Sequence, residues 1–305
     1  MHAKCILCQS RPPIENSHVI PKFVVRRLKA GNPVGTLIHS NDLNRVAQDG
    51  WKGDYLCKVC EQDFSKLEGW FCNKVYDPFL ANGSVAVNYG EELGLFVASV
   101  GFRYIHLALE MNPNKPVAPA FGRMFENLRT SLLSKDLAAV SSHLYIQFLS
   151  PVTSLGPFPP GINTYFSESM DGKCFDYVIP GQGTFWVTYV KFSGMFFLFS
   201  EWDLKRAFKP EHHAAVDSHW IQGSGVLDSS SQSGILEKMV GDIFCARSVE
   251  IQTNYSKMLP KRLAQILKKI AAVPDKGNFR SHETFLLDQK LLAEYEKAKQ
   301  QKPPT

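Results

Sequence analysis

Two cysteine pairs of identical spacing, Cys5-x-x-Cys8 and Cys57-x-x-Cys60, bracket the segment Ser17-His18-Val19-Ile20-Pro21. Two such knuckles a few dozen residues apart supply the four thiolates that close a tetrahedral shell around zinc. One pair alone would equally suit a redox dithiol. Two pairs with a histidine held between them point to a structural zinc bound by Cys5, Cys8, Cys57 and Cys60, in preference to disulfides or free thiols.

The chain has 305 residues, 44% of them hydrophobic and 21% charged, enough apolar material for one large domain or two ordinary ones. No stretch approaches the roughly 18 uninterrupted apolar residues of a membrane span. The start, Met1-His2-Ala3-Lys4-Cys5, lacks the apolar run of a secretory signal, so a cytoplasmic protein with no membrane partner is expected. A reducing compartment favours metal over disulfide. Cys72, Cys174 and Cys245 sit among apolar neighbours and read as small buried residues. The formal charge is +5; four thiolates and one zinc ion bring it to about +3, which permits an anionic partner without requiring one. Lys22, Arg26, Arg27 and Lys29 follow the histidine directly. They suit a phosphate backbone and equally suit a solvated helix face.

Residues 1–80 form the cysteine module. Phe23, Val24 and Leu28 mark a short helix after Pro21; residues 30–53, rich in Gly, Asn and Asp, read as a loop with one hairpin. Phe64, Leu67, Trp70 and Phe71 recur at helical spacing after Cys60, and 73–78 should end that helix. Residues 81–290 form a larger region of helices and antiparallel sheet. Helices are predicted over 91–112 and after Pro119, then strands over 142–148, 161–166, 174–179 and 185–199, a Gly/Ser-rich loop over 222–234, and a basic amphipathic helix over 259–270. Residues 291–305 read as a flexible tail.

Ile14 to Ile20 has the β-branched character of a strand, which would turn Glu15 and Ser17 to one face and His18 to the other. Glu61 follows the last cysteine at the start of a helix. One zinc shared by both knuckles would clamp that strand to that helix and carry His18 toward Glu61.

These elements resemble the zinc-stabilised HNH, or ββα-metal, endonucleases. The resemblance rests on Cys5-Ile-Leu-Cys8, His18-Val-Ile-Pro21 and Leu56-Cys57-Lys-Val-Cys60, and covers residues 5 to about 75. It implies an α+β fold with an N-terminal treble-clef module. It also implies hydrolysis of nucleic-acid phosphodiesters, DNA favoured over RNA, with His18 activating water. A catalytic Mg²⁺ or Mn²⁺ would be held by Glu61 with Ser17 or Glu15, while Lys22, Arg26 and Arg27 meet phosphates. Ser17 stands where the family usually has Asp, and Glu61 where it has His or Asn. The Asn usual before the second knuckle has four candidate counterparts, Asn44, Gln48, Asp49 and Asp54. A catalytically inactive, zinc-stabilised nucleic-acid- or protein-binding module is the alternative, and a homo-oligomer is open.

Glu68 lies two turns beyond Glu61 on a similar face and reads as a solvated carboxylate. His212, His213, Asp217 and His219 lack a supporting ligand pattern for a second metal. The aromatic run from Phe185 to Trp202 suits a buried strand better than a base-stacking platform, and Gly181-Gln-Gly183 is too short for a phosphate cradle.

Overall fold

The most apolar stretch of the chain becomes the axis of the fold. In this computed structural model, which describes residues 3–39, 42–47, 49–111, 118–138, 140, 144–149, 168–179, 183–200, 210, 213, 217, 219–230, 243, 246–247, 249–250, 253–254 and 256–301, that stretch is helix α4. The preceding elements are β1 (Ser17–His18), α1 (Lys22–Ala30), β2 (Leu37–His39), β3 (Asp42–Ala47), β4 (Lys52–Gly53), α2 (Lys58–Phe71), α3 (Asp77–Asn82) and β5 (Ala86–Tyr89). Then come α4 (Glu91–Met111), α5 (Ala118–Ser134), β6 (Leu144–Phe148), β7 (Met170–Ile179), β8 (Gly183–Phe192), β9 (Met195–Ser200), β10 (Gly225–Asp228), α6 (Pro260–Ala271) and α7 (Arg280–Gln301). Helices and antiparallel strands are thus mixed, an α+β arrangement.

Every residue of α4 from Leu93 to Ile105 is buried. By length and composition α4 could cross a membrane, but 72% of its apolar window lies inside the protein, as expected of a core helix. It packs against α2, α5 and a four-stranded antiparallel sheet of order β6-β9-β8-β7. All of β9 is buried, as befits a central strand covered on both faces. Phe71 of α2 stacks on Phe96 of α4 at 3.9 Å, and both meet Phe197 of β9. A single apolar cluster therefore runs from Cys5 to Leu227.

Several expectations change. The run 185–199 is a hairpin, β8 turning into β9 at Ser193 and Gly194 with φ of 48° and 50°. Positive φ at both central residues gives the turn whose twist matches its flanking strands. Every residue from Val187 to Ser200 is buried, which places that part of the aromatic run in the core and not on a stacking surface. Residues 73–78 do not stop the helix. A π-helical turn over Cys72–Tyr76 leads straight into α3, where Pro78 occupies the first turn, a position that needs no amide. The 222–234 stretch contains β10, which pairs antiparallel with β5. The basic helix at 260–271 forms as α6, yet buries none of its residues. The last helix reaches Gln301, because Ala, Glu, Lys and Gln keep high helix propensity where apolar spacing stops. Cys72 and Cys174 are half-buried. The expected strand 161–166, with Gln48, His212 and Cys245, lies outside the described residues.

The close approach of α4 to the sheet depends on Gly101, where a Cβ would lie 2.5 Å from the Phe199 ring. Gly122, inside α5, has nothing within 4 Å of its Cβ position. Urea unfolding should therefore separate the two: Gly101→Val loses about 1–3 kcal/mol to overpacking, whereas Gly122→Ala gains up to about 1 kcal/mol of helix propensity.

Candidate active site

The first knuckle is a tight turn: the Gln9 amide donates to the Cys5 carbonyl, with Gln9 at φ 55°, and the Ile6 amide donates to the Tyr55 carbonyl. That last bond lays the first knuckle against the second. Cys57 caps α2, and Cys60 lies in its first turn. Tetrahedral zinc–thiolate bonds of about 2.3 Å place sulfurs about 3.8 Å apart. Cys8 Sγ and Cys57 Sγ are 3.8 Å apart, and the ligand atoms of all four cysteines lie within 4.8 Å of one another. A disulfide would need about 2.05 Å. The cluster is a candidate zinc site, and among the described residues no other group of His, Cys, Asp or Glu is arranged to hold a metal.

Electrostatics favour the thiolate at two of the four sulfurs. Burial pushes the Cys8 thiol up, but the Ser10 hydroxyl and the amides of Ser10 and Arg11 outweigh it and bring it to about 6. At Cys57 burial is likewise outweighed, chiefly by hydrogen bonds from Cys60, and the thiol is lowered. Burial dominates at Cys5 and Cys60, whose thiols are raised, so loading four thiolates must release their remaining protons.

Strand β1 is shorter than its sequence suggests. Asn16 takes φ 62°, a left-handed conformation that ends strand geometry, so Glu15 and Ser17 do not share a face. Glu15 is exposed. Ser17 is 1% exposed and its hydroxyl accepts the Leu56 amide at 3.2 Å, so it secures the segment leading to the second knuckle. His18 faces the other way. It pairs in register with Lys52 of β4, and the next amide, Val19, donates to Trp51.

The histidine ring has a defined partner. Nε2 lies 3.2 Å from Asp49 Oδ2, with the His18 side chain 15% exposed. The same carboxylate oxygen accepts Lys52 Nζ at 2.7 Å, and Oδ1 accepts the Gly50 amide at 3.0 Å. Burial alone would raise Asp49; the bonds from Lys52, Gly50 and His18 instead hold it at about 2. An ionised carboxylate can only accept, so in the neutral ring this contact selects the tautomer with the proton on Nε2 and the lone pair on Nδ1. Of Asn44, Asp49 and Asp54, the described candidates before the second knuckle, Asp49 is the one that bonds the His18 ring. Asn44 instead bonds the backbone of Lys257 and Leu259, ahead of α6, and Asp54 accepts the Asn16 amide.

Beneath His18 lies a charged cluster that sequence reasoning left largely unread. Arg103 of α4, 1% exposed, donates through Nη1 to the His18 carbonyl at 3.0 Å and to Glu68 Oε1 at 2.8 Å. Its Nε donates to the Ser99 carbonyl at 3.1 Å, and its guanidinium lies over the Phe64 ring at 5.2 Å. Glu68, expected to be solvated, is therefore half of an ion pair, with a side chain only 19% exposed. Glu61, Phe64 and Glu68 form one stripe of α2, at the three- and four-residue spacing that aligns side chains on a face. Burial and the Glu68 charge raise the Glu61 carboxyl while Arg103 opposes them. Glu61 Oε2 is buried and has no hydrogen-bond partner among the described residues. The sequence signals were an arginine inside an otherwise apolar helix and a glutamate seven residues beyond Glu61.

The basic residues of α1 divide. Arg27 is engaged by Asp77 through two bonds, at 2.9 and 2.5 Å, while Lys22 and Arg26 are exposed. No family profile, curated protein or solved structure matches the chain.

Two measurements follow from this geometry. Stripping metal with a chelator should release amide-exchange protection at Ile6 and Val19 while amides of β9 stay protected. Asp49 has a folded value of about 2 against its ordinary 3.8, so its stabilisation is complete above about pH 4 and fades as pH falls toward 2. Asp49→Asn should thus cost about 1–2 kcal/mol in urea unfolding at pH 7 and flatten the acid dependence between those limits.

Proposed function

We propose that the protein is a zinc-stabilised, metal-dependent endonuclease of the ββα-metal kind that hydrolyses phosphodiesters, with DNA as the favoured substrate. The reading is supported by the order of elements: a knuckle, the β1–β4 pair, and a helix carrying the last two cysteines in its cap and first turn, as in a treble clef. The observation that carries it is the Nε2 bond of His18 to Asp49, which leaves Nδ1 as a base at the end of β1.

Four thiolates, Cys5, Cys8, Cys57 and Cys60, would hold the structural zinc. His18 takes a proton from water at Nδ1, and Asp49 stabilises the imidazolium that forms. The water oxygen bonds to phosphorus as the bond to the leaving oxygen breaks, and that oxygen departs with a proton regained from solvent. Glu61, whose buried Oε2 has no hydrogen-bond partner among the described residues, would hold a catalytic Mg²⁺ or Mn²⁺, which would supply charge neutralisation at the phosphate when bound. Lys22 and Arg26 are placed to meet the phosphate backbone; Arg27, engaged by Asp77, contributes less.

A second reading, a non-catalytic zinc module that binds nucleic acid or protein, is favoured by one observation. Ser17, in the position where the resembled family carries Asp, spends its hydroxyl on Leu56 inside the fold. Plasmid nicking separates the two. With Mg²⁺ or Mn²⁺ the wild-type protein should nick DNA, and His18→Ala should slow cleavage by about 10²–10⁴-fold with zinc content and circular dichroism unchanged. Equal rates in both proteins would remove the nuclease reading, and RNA run in parallel decides the substrate.

A further inference from the structure

Arg103 is the one charged residue within the buried span of α4 from Leu93 to Ile105. A guanidinium at that depth costs several kcal/mol unless its donors are matched, and an apolar residue of similar size would pack there at least as well. Packing alone therefore does not account for it. Its contacts do. Nη1 ties the carbonyl of His18 to Glu68, and Nε and Nη2 are fixed on Ser99 of the preceding turn, at 3.1 Å to its carbonyl and 3.4 Å to its hydroxyl. His18 is thus held from three directions: Asp49 on the ring, pairing with β4 on one side, and Arg103 on the carbonyl. Glu68 balances the guanidinium charge in this buried position.

We infer that Arg103 is a positioning residue for the His18 base, so that α4, beyond the cysteine module, is part of the catalytic apparatus; this rests on the nuclease reading above. The full-length chain is compared with Arg103→Lys, which keeps the cation but loses the fork of donors. Plasmid cleavage at saturating Mn²⁺ gives kcat and KM for DNA, and ¹⁵N spectra of the histidine-labelled protein give the His18 tautomer. The expected result is a kcat lower by tenfold or more with an unchanged KM and zinc content, and a His18 ring no longer confined to the Nε2–H form. Wild-type kcat together with a wild-type ring spectrum would overturn the inference. Cleavage absent from the wild-type protein, with a ring spectrum altered by the substitution, would sink the nuclease reading while leaving Arg103 as the residue that sets His18. Absent cleavage with an unaltered spectrum would remove both. Where Arg103→Lys does not fold, Glu68→Gln, which loosens the same guanidinium, is read in the same way.

Discussion

The four sulfurs of Cys5, Cys8, Cys57 and Cys60 decide where two distant pieces of chain must meet, and the rest of the N-terminal structure is arranged around that meeting. Strand pairing contributes little to it: β1 and β4 have two residues each, and so small an antiparallel ladder is marginal in water. A tetrahedral zinc centre is worth on the order of 10–16 kcal/mol of folding free energy in small modules, far more than such a ladder. Apolar burial supplies the second anchor, since Val19, Ile20, Leu56 and Phe64 belong to the same continuous core as α4 and the four-stranded sheet. The first holds the two knuckles together; the second joins the module to the larger region.

Placement of charge separates the site from ordinary packing. Buried ion pairs add little net stability over apolar residues of equal volume, so Arg103 and Glu68 are poorly explained as a device for holding helices together. They lie under His18, and the guanidinium reaches that histidine's own carbonyl. Asp49 and Lys52 form a second charged pair on the ring side. A histidine bound at its ring and at its backbone by two separate charged groups is more constrained than structural filling demands. That is the physical ground for reading it as a base.

How much was legible in the sequence depended on whether the signal was local. The knuckles announce their partners by spacing, and helical periodicity marked α4, α5 and the basic helix to within a residue or two, and α2 without its continuation through the π-helical turn into α3. The β8–β9 turn was hidden because Ser193-Gly194 interrupts an aromatic run by two residues only. Strand β10 was hidden because its pairing with β5 joins segments more than 130 residues apart, a contact no local pattern records. Within the site, a left-handed Asn16 broke the alternation assumed for Glu15 and Ser17. Spacing could not choose Asp49, because the hairpin of β2 and β3 intervenes between β1 and β4. Arg103, 85 residues from His18, was visible only as a charge in an apolar helix.

The central claim is that one zinc ion draws both cysteine pairs into a single shell. X-ray absorption at the zinc edge of the purified protein tests it most directly. The account predicts one zinc per chain with four sulfur neighbours at about 2.3 Å and no nitrogen or oxygen ligand. Two sulfurs with lighter ligands, or no bound zinc in protein whose cysteines are reduced, would contradict it.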